Sequence, residues 1–448
     1  MRAFTEPLEK LSEFPQIKAS LKKRGIVQVA GCIDAQKPHF IYTAGEDFPC
    51  KIVLTYSESR AKEIYENCRF FDRKALLYPA RDLIFYSADI HSNLIVRQRL
   101  AAVKALVEEE QVTIITTMGG CMDHLMPLEE LKKNILSIKN DSMLEVDAIK
   151  QKLTAMGYEN TPQVESAGQF AARGGILDIF PLTEENPVRI ELWGDEVDSI
   201  RSFDVESQRS IENLECITIY PAREVIADQE RIQKAVKRME RDVKKPYEQM
   251  RQEMRTEEAH RLKMLLEETK ERLTELSWEA GMDALVDYLY EKTESLIEYC
   301  KGREPLFVLD EPHRLMEEGN AIEMEFRESM ESRLEKGYAL PKQTGVLNTC
   351  QDTIGRLNRQ HCLGLCTLDS PRQPWKVTAG FSLDVRAVNP YNNSFEMLVR
   401  DLQRWKKNGY QVILLSGSRS RAERLAADLR DAELNSFYTE NLDREVAP

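Results

Sequence analysis

A series of short, uninterrupted apolar runs separated by helix-length segments limits this chain more than any other feature. Gly25-Ile-Val-Gln-Val-Ala30, Lys51-Ile-Val-Leu-Thr55, Leu76-Leu-Tyr-Pro79 and Gln111-Val-Thr-Ile-Ile-Thr116 read as strands. The stretches Ser59 to Phe70 and Asn93 to Glu109 carry apolar residues at helical spacing. Strands alternating with helices predict a parallel α/β sheet, because each crossover must return to the same edge before the next strand begins.

Near Pro127 the pattern changes. Leu128 to Lys132 and Asp147 to Met156 read as short helices, and Gly168 to Ser210 is β-rich with glycine pairs and proline breaks. This predicts an inserted α+β domain over 127–212, splitting the α/β domain into 1–126 and 213–332. Ala227 to about Glu279 is dominated by Glu, Lys, Arg, Met and Leu, which predicts long amphipathic helices with Pro246 as the one interior break and a solvated charged face. Pro305-Leu-Phe-Val-Leu309 is a further buried strand. A second small α/β domain is expected over 333–448, where the strand Val412-Ile-Leu-Leu415 leads into Ser418-Arg-Ser-Arg-Ala422. That turn repeats the S-x-S-R-A of Ser57 to Ala61, with serine as helix N-cap in both.

The 448 residues contain no run approaching the ~20 apolar residues of a membrane span, and the charged N-terminus has no signal-peptide core. Nine dispersed cysteines suit a reducing cytosol better than a disulfide framework. His361-Cys362 with Cys366 lacks a second ligand pair, so burial is expected there rather than a metal. A formal net charge of −13 argues against a sequence-independent nucleic-acid binder, whose affinity comes from Lys and Arg on phosphates.

One stretch raises the question of a nucleotide. Registered on Gly31, a phosphate-binding loop G-x-x-x-x-G-K-[ST] would place its second glycine at Gln36, its lysine at Lys37 and its hydroxyl at Pro38. Gln36 adds a Cβ where the loop must stay open, and Pro38 has neither hydroxyl nor N–H. Asp310-Glu311-Pro312-His313, following an apolar strand, is the D-E-x-H in which an aspartate would hold a metal and a glutamate would polarise water. A degenerate loop paired with this motif reads as the relic of a motor-type ATP site: no catalytic residue, metal or cofactor is expected in this chain.

Gly168-Gln-Phe-Ala-Ala-Arg-Gly-Gly-Ile-Leu-Asp-Ile-Phe-Pro181 and Pro187-Val-Arg-Ile-Glu-Leu-Trp-Gly-Asp-Glu196 resemble the signature of the transcription-repair coupling factor (Mfd) family, and in looser form the excision-repair protein UvrB. Ser207 to Ser210, Tyr220 to Glu224 and the D-E-P-H motif continue the resemblance over essentially the whole chain. The fold it implies is a parallel-sheet, degenerate helicase-type (UvrB-like) α/β domain with an inserted α+β domain, a long helical segment and a second small α/β domain. The resemblance also implies a bacterial, cytoplasmic module without catalysis of its own, which brings UvrA to RNA polymerase stalled at lesions. The polymerase-binding part and the ATP- and Mg-dependent translocase on duplex DNA would follow residue 448. Between Phe85-Tyr86 and Ile90, where UvrB carries a tyrosine-rich hairpin, only Ser87-Ala88-Asp89 is present, so damage verification is not expected.

In Val188-Arg-Ile-Glu-Leu-Trp193 strand alternation puts Val188, Ile190 and Leu192 on one face and Arg189, Glu191 and Trp193 on the other. The resemblance implies that this outer face binds UvrA, with Arg173, Arg189 and Trp193 at motif positions and Glu191 beside them. Trp193 stands where the family usually has phenylalanine. By pattern alone Trp193 could equally be covered by a neighbouring strand or domain.

Overall fold

The computed structural model describes residues 2–81, 89–275, 282–369 and 374–441. The first four strands, β1 (Gly25–Ala30), β2 (Cys50–Thr55), β3 (Leu76–Tyr78) and β4 (Val112–Thr117), alternate with helices Lys37–Ala44, Glu58–Cys68 and Asp89–Glu108. The chain then leaves the sheet for β5 (Leu136–Lys139), β6 (Glu159–Asn160), β7 (Gln169–Arg173), β8 (Ile176–Ile179), β9 (Val188–Trp193), β10 (Glu196–Phe203), β11 (Ser210–Leu214) and β12 (Cys216–Ile219). It returns to the first sheet with β13 (Leu306–Asp310), β14 (His361–Cys366) and β15 (Val377–Ser382).

The main sheet is seven-stranded, in the order β15-β1-β14-β13-β2-β4-β3, with every pairing parallel. Its strands are apolar without alternation because both faces are covered. Ile52, Leu54, Ile114, Phe307 and Leu309 enter one core, while Val53, Ile115, Leu306 and Val308 enter the core on the opposite face. All parallel strands end on the same edge, so the loops after β1 and β13 meet there.

The insert is a second, mixed sheet in the order β11-β10-β9-β8-β7-β6, antiparallel except for the short β6–β7 pair. Its inner face, including Phe170, Leu177, Ile179, Val188, Ile190, Val197 and Ile200, forms a separate core. β12 pairs back antiparallel with β5. The entry and exit strands therefore close the insert, and its end lies beyond the boundary expected at residue 212.

Three further expectations are corrected. Pro246 lies inside the helix Gln229–Gln252 and does not break it. Ile232, Ala235, Met239, Val243 and Met250 hold that helix against the main core, which outweighs the one N–H a proline removes. The true reversal comes at Met254, whose φ is 60°, before helix Thr256–Thr274. The boundary expected at 332/333 falls inside the α/β unit, because β14 and β15 flank β1 in the main sheet. Residues 412–415 form no strand. Helices Phe395–Lys407 and Arg419–Asp431 share a small core of Leu402, Leu429 and Leu434, but Ile413, Leu414 and Leu415 stay exposed with no strand to pair them.

Candidate functional site

The loop after β1 meets the loop after β13 as the sequence predicts, but the contents differ from a nucleotide site. Lys37 is fully buried; its Nζ lies 2.6 Å from Asp310 Oδ1, 2.7 Å from Glu311 Oε1 and 3.0 Å from Asp34 Oδ1. Arg60 adds a second cation: its Nε donates to Asp310 Oδ2 at 2.9 Å and its Nη2 to Asp34 Oδ1 at 2.6 Å. Glu311 Oε1 also accepts from the Thr367 amide at 2.8 Å and hydroxyl at 2.7 Å. Asp34, Asp310 and Glu311 converge as a metal site would require, but a lysine and an arginine of the chain itself already sit among them.

The loop amides are also engaged. A phosphate loop aims its N–H groups at the ligand. Here Cys32 N donates to Cys366 O at 3.0 Å, Gln36 N to Ile33 O at 2.9 Å and Lys37 N to Ile33 O and Asp34 O at 3.3 Å. Gly31 keeps a positive φ of 78°, and a Cβ there would meet Leu383 O at 2.0 Å. That glycine serves the chain packed over the loop, where Leu383 N donates to Ala30 O at 2.9 Å. Pro38 occupies the first turn of helix Lys37–Ala44, with Gln36 as the residue before it. Among the described residues, Gly31, Gln36, Lys37, Pro38, Asp310 and Glu311 do not fit MgATP.

Electrostatics keep this cluster charged. Burial works against the charge of Lys37, but Asp310 and Glu311 outweigh it and hold its pKa above the ordinary lysine value. Burial likewise pushes Asp34 and Glu311 up, and Lys37 reverses this, so both lie below their usual values. A carboxylate held low stabilises the fold above its unfolded pKa, and that contribution disappears as pH falls through the folded value. Glu311→Gln is therefore expected to be less stable than wild type at pH 7, with the gap closing below about pH 4 in denaturant titrations. A gap that widened in acid would contradict the ion-paired assignment.

The second region is the outer face of the inserted sheet. Val188 and Ile190 are buried, Leu192 packs partly against that core, and Trp193 is 84 % exposed. Among the described residues, the tryptophan is thus not covered by another strand or domain. Two hairpins place their loops at the same end: Gly174-Gly175 joins β7 to β8 and Gly194-Asp195 joins β9 to β10, with Leu192 N donating to Gly175 O at 2.7 Å. Gly194 has a φ of 64°, the conformation its place in a two-residue hairpin loop requires. Arg173 stands at this end with its side chain 57 % exposed.

Arg189 and Glu191 share that face but are not free. Arg189 makes a two-pronged pair with the buried Asp178, Nε to Oδ1 at 2.7 Å and Nη2 to Oδ2 at 2.8 Å, donates to Gln208 Oε1 at 2.9 Å and lies over the Phe203 ring. Glu191 is bonded by Arg201 Nη2 and by Ser199 Oγ. Sequence alternation predicts an Arg189 that can be truncated at little cost to the fold; the structure corrects this. Arg189→Ala leaves the buried Asp178 carboxylate with the longer contact to Arg173, Nη2 to Oδ2 at 3.9 Å, and is expected to lower stability by about 2 kcal/mol in urea unfolding. A variant as stable as wild type would show that the pair contributes nothing.

Sequence reasoning missed Arg60, whose S-x-S-R-A context reads only as a helix cap although Ser57 does cap Arg60 N. It also missed Met143 and Ile176, 74 % and 38 % exposed at the Trp193 end of the sheet. An isolated methionine in the polar stretch Asn140 to Glu145 gives no periodic signal. Residues 82–88, which hold most of the stretch compared with the UvrB hairpin, lie outside the described residues. Cys362 and Cys366 are buried, with Cys362 Sγ against Leu357 O.

Residues 136–225, from β5 to just past β12, match the UvrB interaction domain family. The transcription-repair-coupling factor of Bacillus subtilis is 30 % identical over 396 residues, which are 87 % of this chain and 33 % of that protein. That of Staphylococcus epidermidis is 28 % identical over 363 residues, 81 % of this chain and 30 % of the relative. That of Staphylococcus aureus is 26 % identical over 370 residues, 82 % and 31 % respectively. The chain spans about a third of the length of these relatives. It is homologous to the N-terminal third or so of transcription-repair-coupling factors and contains a UvrB interaction domain.

Proposed function

We propose that this chain is a recruitment module without catalysis of its own, which binds UvrA through the outer face of its inserted sheet. In the whole protein it would bring the excision machinery to RNA polymerase stalled at DNA lesions, in the bacterial cytoplasm. The observation that carries the reading is Trp193, a large aromatic 84 % exposed on the face that the UvrB interaction domain leaves outward. Tryptophan and arginine are the residues most enriched at interface hot spots, and a solvated tryptophan on a rigid strand loses little freedom on binding. Co-elution of the purified chain with purified UvrA on gel filtration is the expected result; separate elution at micromolar concentrations would count against the reading.

The competing reading is an ATP-binding, UvrB-like module that inspects damaged DNA. The closed Lys37–Arg60–Asp310 cluster disfavours its nucleotide, and the acidic balance of the chain disfavours its DNA. Duplex DNA is expected to bind weakly at physiological salt and without preference for a lesion. Sub-micromolar, lesion-selective binding in fluorescence anisotropy would favour the competitor. No helix among the described residues is long and apolar enough to cross a membrane.

A further inference from the structure

The exposed end of the inserted sheet is wider than one strand. Trp193 lies opposite Glu196 in the β9–β10 hairpin, and Glu196 in turn lies opposite Met143 through an isolated antiparallel bridge. The bridge is held by Leu144 N to Asp195 O at 2.6 Å and Val197 N to Ser142 O at 2.9 Å. Residues opposite one another in adjacent strands project from the same face, about 5 Å apart. Trp193, Glu196 and Met143 therefore form one row roughly 10 Å across. Its two ends are large apolar side chains, 84 % and 74 % exposed.

The charge in the middle of that row is open. Two other carboxylates of the same face are neutralised, Asp178 by Arg189 and Glu191 by Arg201. Glu196 is exposed, and no ion pair among the described residues holds it. Single exposed apolar residues are ordinary on a soluble protein. Two flanking one unpaired carboxylate are a different pattern: glutamate is depleted at interface cores because burying it without a cation is costly.

We infer that the UvrA contact extends from Trp193 across β10 to Met143, and that the opposing surface is an apolar patch with a central lysine or arginine facing Glu196. This rests on the recruitment reading of the outer face and specifies what that face recognises. Met143 supplies a second anchor, and Glu196 selects for the partner cation.

The test is titration of purified UvrA with the 448-residue chain and three variants, Trp193→Ala, Met143→Ala and Glu196→Lys, each checked for an unchanged melting temperature. Met143→Ala should weaken binding about fivefold and Glu196→Lys about tenfold, and Glu196→Lys should also lose most of the salt dependence of the association rate. Wild-type binding by Met143→Ala and Glu196→Lys, with Trp193→Ala impaired, would overturn the extension and leave the recruitment reading standing. Failure of wild type to bind, or full binding by Trp193→Ala, would overturn the recruitment reading and this inference with it.

Discussion

Lys37→Met is expected to destabilise the chain by about 3 kcal/mol, read as a lower urea midpoint at an unchanged slope. The substitution keeps an unbranched side chain one atom shorter but removes a buried cation that three carboxylate oxygens share. Among the described residues, Asp310 is left beside Arg60, and Glu311 retains the Thr367 donors. Removing one partner of a buried pair costs more than the pair contributes, because the remaining charge stays desolvated. In a working phosphate loop the lysine reaches the nucleotide, so its loss would reduce ATP affinity and leave the empty protein nearly as stable. The two accounts separate cleanly. Here MgATP should leave the wild-type midpoint unmoved; a functioning site at a hundred times its Kd would raise stability by about 2.7 kcal/mol. A stable Lys37→Met together with ATP-dependent stabilisation of wild type would reinstate the nucleotide.

The parallel sheet was legible because its strands are buried on both faces and so read as continuous apolar runs, as Lys51–Thr55 and Leu306–Leu309 do. The order of the strands was not. β14 enters between β1 and β13 after a long crossover, and no local pattern reports which edge a parallel strand will join. That is why the division at 332/333 was misplaced. Pro246 misled for a related reason: propensity is local, whereas the stripe from Ile232 to Met250 is fixed by tertiary packing. Val412 to Leu415 has the composition of a strand, but a strand needs a partner. In the candidate sites, the pleat of Val188–Trp193 correctly separated buried from outward residues. It could not show which outward residues were already paired. Arg189 and Glu191 find Asp178 and Arg201 on neighbouring strands, so their outward position does not make them free. The sequence reads the loop after β1 as a relic from Gln36 and Pro38, which stand where a glycine and a hydroxyl would be needed, whereas Arg60, which completes the charge cluster there, comes from a different strand–helix turn.

Trp193→Ala is expected to weaken UvrA binding by about 2 kcal/mol or more, roughly thirtyfold, while leaving the melting temperature of the chain nearly unchanged. Its side chain is 84 % exposed, so truncation removes almost no buried area from the fold. Val188→Ala, on the same strand but 2 % exposed, should do the reverse and lower stability through lost core volume without a specific effect on binding by the folded fraction. Arg189→Ala should show both effects, because Arg189 pairs with the buried Asp178 and shares the outward side of β9 with Trp193. This ordering distinguishes an interface from a generally fragile domain. A fragile domain would lose binding in proportion to stability across all three variants. A melting temperature for Trp193→Ala as low as that for Val188→Ala would instead place the tryptophan in the core.

The most direct test of the account is an equilibrium titration of purified UvrA with the wild-type chain and with Trp193→Ala, both shown to be folded by their melting curves. The account predicts saturable binding by wild type and a dissociation constant roughly thirtyfold higher for the variant. Indistinguishable affinities for the two folded proteins, or no binding by either, would contradict it.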